Sequence, residues 1–190
     1  MTNDHSLRQL RRLSQPFVIL LSIALGLVVL VQVPEIVAIL FFHSGGDFHA
    51  AVASSANGIG LSIWGKDPPP GVALESLSFG QRSALALLAA LCAACGGLAL
   101  FHLRQLFALY ARGVVFADDN IRHIKRFGVW LALAAIAINA SGWLFHMVTG
   151  EPSHGAANAA MAVVYGGMTY VVARVMELGR QADQERKEFI

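Results

Sequence analysis

Seven histidines, two cysteines and one carboxylate within an apolar run are the residues of this chain with chemistry to offer. His43, His49, His146 and His154 fall at the same side of the apolar runs, with Asp47 beside them. Imidazole and carboxylate suit zinc, copper or iron. His43 could meet His146 or His154, the facing pair that a b-type haem requires, whereas His102 falls at the opposite end from His146. No spacing among these residues matches a known ligand motif. Cys92 and Cys95 form C-x-x-C, a redox signature in a soluble βαβ setting. Here they lie inside an apolar run with no nearby charge to favour a thiolate, and a disulfide between i and i+3 of one helix has poor geometry. They read instead as small packing residues beside Gly96 and Gly97.

Glu35 lies roughly 27 Å along a helix from Phe17, close to the outer interface. Intramembrane carboxylates can relay protons or ions, yet the other runs hold no Lys or Arg to partner this one short of Arg174, which ends the apolar stretch of the fourth. Pro34 is expected to kink or end the helix there. Asn139 and Ser141 put polar groups inside a third run, where hydrogen bonds between helices are the expected use. No P-loop, H-E-x-x-H or G-x-S-x-G is present.

The elements that would carry these residues follow from hydropathy. The 190 residues are 56% hydrophobic and only 14% charged, where a soluble domain carries about a quarter charged residues. A spanning helix needs about 20 apolar residues, and four runs qualify, at about 17–42, 83–103, 127–148 and 155–176. Lipid-exposed backbone must satisfy its own hydrogen bonds, so each is expected to be helical. The first run, preceded by Arg8, Arg11 and Arg12, is read as a retained helix and not as a cleaved signal. Small residues recur four apart as Ala89, Ala93 and Gly97, and again as Asn158, Ala162 and Gly166. Such stripes predict close helix approach, within one bundle or in a homo-oligomer.

Twelve of the fourteen basic residues precede the first run, lie between the second and third, or follow the fourth. The positive-inside rule then places both termini and the 104–126 connector in the cytoplasm, with the 43–80 loop and the short 149–154 turn outside. In the loop, "IGLSIW" at 59–64 can form a short strand or lie on the membrane, and "GKDPPPG" at 65–71 is rigid punctuation. The net charge of +2 does not make a nucleic-acid surface.

The connector is the most charged internal stretch. Gly113 is placed to end one helix as its C′ residue, and Asp118 or Asp119 can cap the next. On that helix Ile121, Ile124, Phe127 and Gly128 share one face, and Arg122, Lys125 and Arg126 share another. Asp118 can pair with Arg122 at i,i+4.

"LFALYARGVVFADDNIRHIKRFG", residues 106–128, resembles the signature of a bacterial inner-membrane family known as domain of unknown function 2975. The resemblance rests on Gly113, Phe116, Asn120, Ile121, Lys125, Arg126 and Gly128. It implies a membrane protein with no established enzyme activity, whose relatives are often encoded beside small helix-turn-helix regulators. The expected fold is all-α: a four-helix transmembrane bundle, both termini cytoplasmic, with a cytoplasmic amphipathic helix leading into the third span and a tail at 177–190. The expected function is non-enzymatic and regulatory, in the bacterial inner membrane. A small cytoplasmic DNA-binding regulator would dock on Phe116, Asn120, Arg122, Lys125 and Arg126, without direct nucleic-acid binding by this chain and without a cofactor. The alternative is a metal or haem protein using His43, His146 and His154.

Overall fold

The computed structural model describes residues 3–42, 49–55, 58–64, 71–114, 117–151 and 164–178. Helix α1 spans Asn3–Phe41, α2 Phe79–Ala111 and α3 Asp118–Thr149. A further helix, α4, covers 164–178. Strands β1 (His49–Ser55), β2 (Gly58–Trp64) and β3 (Val72–Ala73) lie between α1 and α2, with a 3-10 turn at Leu74–Ser76.

Among the described residues, three helices are long and apolar enough to cross a membrane: Ser14–Phe41 within α1, then α2 and α3. Their exteriors carry the exposed Leu20, Ile23, Leu30, Leu87, Ile136 and Met147, side chains that hydrocarbon accepts and water does not. Consecutive helices run antiparallel. Phe17 of α1 stacks on Phe107 of α2 at 5.0 Å, while at the other end Arg82 donates to the carbonyl of Phe42 over 3.1 Å. Gln81 of α2 donates to the carbonyl of Val148 on α3 over 3.1 Å, and α3 reaches α4 through Lys125 and Glu177. One end of the molecule therefore gathers Arg104, Arg112, Arg122, Lys125, Arg126 and Arg174, and the opposite end carries the strands.

The helix boundaries follow local chemistry. Ser78 and Gln81 form a capping box at the start of α2, each satisfying a backbone N–H of the first turn. Gly113, at φ 79°, closes α2. The N–H of Val114 reaches the carbonyl of Leu109 at 3.0 Å and that of Gly113 reaches Tyr110 at 2.9 Å, the paired bonds of a Schellman motif. The expected caps for α3 do not form. Its N-cap is Ala117, with no side-chain cap bond, and Asp118 and Asp119 occupy the first turn. There their charge still favours the positive end of the helix dipole.

Two expectations change at the strand end. Pro34 neither ends nor interrupts α1, which continues to Phe41. The ring removes one backbone donor, and a long helix tolerates that loss where later turns remain bonded. The loop after α1 holds more than a single short strand. It forms a three-stranded antiparallel sheet in the order β2-β1-β3, with Val52 opposite both Leu61 and Val72. Alternation then puts Ala50 and Val52 on one face. They join Ile39 of α1, Leu85 of α2 and Phe145 of α3 in the largest buried cluster. The chain is mostly helical, as expected, and the sheet is packed across one end of the helices.

Candidate functional site

The basic end is built around the α2–α3 connector. Asn120 is fully buried, and its Nδ2 donates to the carbonyl of Val114 over 2.7 Å. It ties the chain leaving α2 to the first turn of α3. Its Oδ1 is buried without a hydrogen-bond partner. Asn120, expected on the docking face, thus closes a turn beneath that face. Phe116, expected beside it, lies outside the described residues.

The amphipathic reading of α3's start is otherwise realised. Ile121, Ile124 and Gly128 are buried, while Arg122 and Arg126 are exposed. Arg122 lies 3.8 Å from Asp119, at i,i+3, with both side chains mostly exposed, so the contact contributes little. Lys125 points the other way. Its Nζ donates to Glu177 Oε2 at 2.9 Å, and Arg174 donates to the same oxygen at 2.7 Å. Those two hydrogen bonds, first from Lys125 and then from Arg174, hold the Glu177 carboxyl below its usual range. Lys125 is thus committed to α4. The exposed basic face of α3's first turns reduces to Arg122 and Arg126.

Behind this face two imidazoles meet that the sequence reading had left apart. His102 of α2 and His123 of α3 place their Nδ1 atoms 3.1 Å apart, with ring centroids at 5.4 Å. His102 is buried. Phe101 sets its ring edge-on to His102 at 5.6 Å. The residues are 21 apart in sequence, so their meeting depends on the antiparallel register of α2 and α3. On the α1 side, Arg104 Nε donates to Ser22 Oγ at 2.7 Å.

At the strand end Glu35 accepts a hydrogen bond from the backbone N–H of Leu61 on β2. The carboxylate satisfies a strand that lies at the edge of the sheet among the described residues. His146 is exposed, and its Nδ1 lies 2.9 Å from the carbonyl oxygen of Glu151. His43 and His154 lie outside the described residues, and so does the side chain of His49. Among the described residues no group of three or more His, Cys, Asp or Glu side chains could hold a metal ion.

The polar groups inside α3 bond to their own backbone, and Ser141 also hydrogen-bonds the Cys92 side chain on α2, the expected contact between helices. Asn139 Nδ2 donates to the carbonyl of Ala135 at 3.1 Å and Ser141 Oγ to that of Ile138 at 2.8 Å. For Asn139, which is exposed, this replaces the expected bond between helices. Cys95 packs against Ala134 and Ala137, as expected for a small packing residue. On α2, Ala89 of the stripe packs in the core as expected, but the glycines do not bring helices close. Gly96 and Gly97 have nothing within 4 Å of the position a Cβ would take. They floor a groove of about 640 Å³ between α1, α2 and α3. Gly166 on α4 does bring helices together: a Cβ on Gly128 or Gly166 would lie 2.9 Å from the other's carbonyl oxygen. Asn158 and Ala162 lie outside the described residues.

Long apolar helices of this kind define a membrane protein, with a strand-built cap at one end and a charged helical connector at the other. The chain belongs to the family described as Protein of unknown function (DUF2975), whose model matches residues 47–189. That match covers the connector on which the resemblance rested, together with the sheet and α2 to α4. No curated protein and no solved structure matches the chain.

Proposed function

We propose that this is a regulatory protein of the bacterial inner membrane, without enzymatic activity, that holds a soluble cytoplasmic partner at its basic end. The orientation in this reading is N-in and C-in, with four spans, because the basic residues gather at one end. The observation that carries the proposal is the exposed pair Arg122 and Arg126 on the first turns of α3. They stand on a rigid mount, since the Schellman turn at Gly113 and the Asn120 bond fix the connector beneath them. Two guanidiniums on one helix face suit carboxylates of a partner protein. The family resemblance points to a small helix-turn-helix regulator as that partner.

The test is a mild-detergent pull-down from native membranes. Wild-type protein is expected to retain a stoichiometric small DNA-binding protein. The double variant Arg122→Glu, Arg126→Glu should lose it by at least tenfold while keeping the wild-type gel-filtration profile and thermal midpoint, because neither side chain supports the core. Undiminished retention by that folded variant would remove the surface from consideration.

A further inference from the structure

We infer that His102 and His123 form a proton-operated latch between α2 and α3 at the basic end. A neutral imidazole has one N–H and one ring lone pair. At 3.1 Å between Nδ1 atoms, one ring donates its Nδ1–H and the other accepts, carrying its own proton on Nε2. A first added proton charges the donor ring and leaves that bond in place. A second puts hydrogen on both Nδ1 atoms, so two cationic donors face each other with no acceptor between them. The closed pair therefore holds one proton fewer than the same two rings held apart. By linkage, lowering the pH through the ordinary imidazole range, about 6.5, favours parting of the helices.

The charged groups near His123 are all on α3: Arg126, Asp119 and Arg122. Asp119 offsets part of the added charge, but it also lies near Arg122. Arg122 and Arg126, near His123, oppose a divalent ion more strongly than a single added proton. A metal would also need a third ligand, and no such cluster exists among the described residues. A proton is the cation this site fits.

Parting has a defined consequence. Leu106 of α2, Ile124 of α3 and Ala173 of α4 form one buried cluster at the same end of the bundle. Further along, Cys95 against Ala134 and Ala137 keeps α2 on α3. Opening would pivot there, expose the cluster and displace the first turns of α3. The latch needs no partner to operate.

The experiment uses the full chain in lipid nanodiscs at about pH 7.5 and about pH 5, on either side of the imidazole range. Hydrogen–deuterium exchange, corrected for the chemical rate, is read for peptides within 103–126. Nitrogen-15 histidine spectra report the charge on each ring. Wild type is expected to exchange at least tenfold faster in this segment at the lower pH. His123→Gln, which can accept or donate at the same position but cannot take up a charge, should keep its high-pH protection at both. His102→Gln should behave likewise, so that one misfolded variant does not decide the outcome. The inference is overturned if wild type stays protected while both rings are charged, or if both glutamine variants open in acid as wild type does.

Discussion

Glu35 shows how a single residue changes meaning once its neighbours are placed. A lone carboxylate near the end of an apolar run raises the question of ion or proton relay, but here it accepts the N–H of Leu61 on an edge strand. An unpaired donor there would cost about 1–3 kcal/mol. Glu35→Ala is therefore expected to lower stability by about that amount, measured by thermal unfolding in detergent, while Glu35→Gln, which retains an acceptor, should lose much less. If the alanine variant matched wild type in stability, Glu35 would not be the anchor of the sheet. Asn120 carries a similar lesson. An asparagine in the first turn of a charged helix reads as exposed, and nothing local announces that the preceding chain folds back over it. Its burial depends on the positive φ at Gly113, which turns the backbone so that Val114 presents its carbonyl. The pairing of His102 with His123 was equally hidden, because residues 21 apart on different helices meet only through register.

At the scale of elements, helices were the most legible feature, since hydropathy over about 20 residues outweighs any local exception. Pro34 was such an exception, and α1 runs through it. The sheet was less legible. Its strands are at most seven residues long, and Ala50, Ala51 and Val52 are all buried, so the central strand lacks the alternation that marks a one-sided sheet. The two small-residue stripes looked alike in sequence and part company in three dimensions. Gly97 opens onto a groove, whereas Gly166 lies against Gly128 with Ala132 also 3.2 Å from a Cβ position. Substitution should separate them. Gly166→Leu forces α4 away from α3 and is expected to cost about 1–3 kcal/mol or more through overpacking, read as a lower thermal midpoint and faster exchange across α4. Gly97→Leu has space above it and should leave that midpoint nearly unchanged. Equal effects at the two positions would mean that the α3–α4 crossing is not set by this glycine pair.

For the whole molecule, the governing relation is between charge and direction. Among the described residues, α2, α3 and α4 bring Arg104, Arg112, Arg122, Lys125, Arg126 and Arg174 to one end, and the antiparallel helices make that end a single surface. The opposite end holds the sheet, Glu35 and the start of α2. If the basic surface faces the cytoplasm, the two ends must differ in access to reagents that cannot cross a membrane. Single cysteines placed at Gly80 and Val114, in a chain whose Cys92 and Cys95 are replaced by alanine, sample the two ends. Gly80 has open space around it and Val114 is exposed, so neither change should disturb packing. In intact cells a membrane-impermeant maleimide is expected to label the cysteine at position 80 and to reach that at 114 only after the membrane is opened. The reverse pattern would turn the protein over and put Arg122 and Arg126 outside, ending the case for a cytoplasmic partner. It would leave the His102–His123 latch intact, but expose it to the acidity of the outer compartment instead of that of the cell interior.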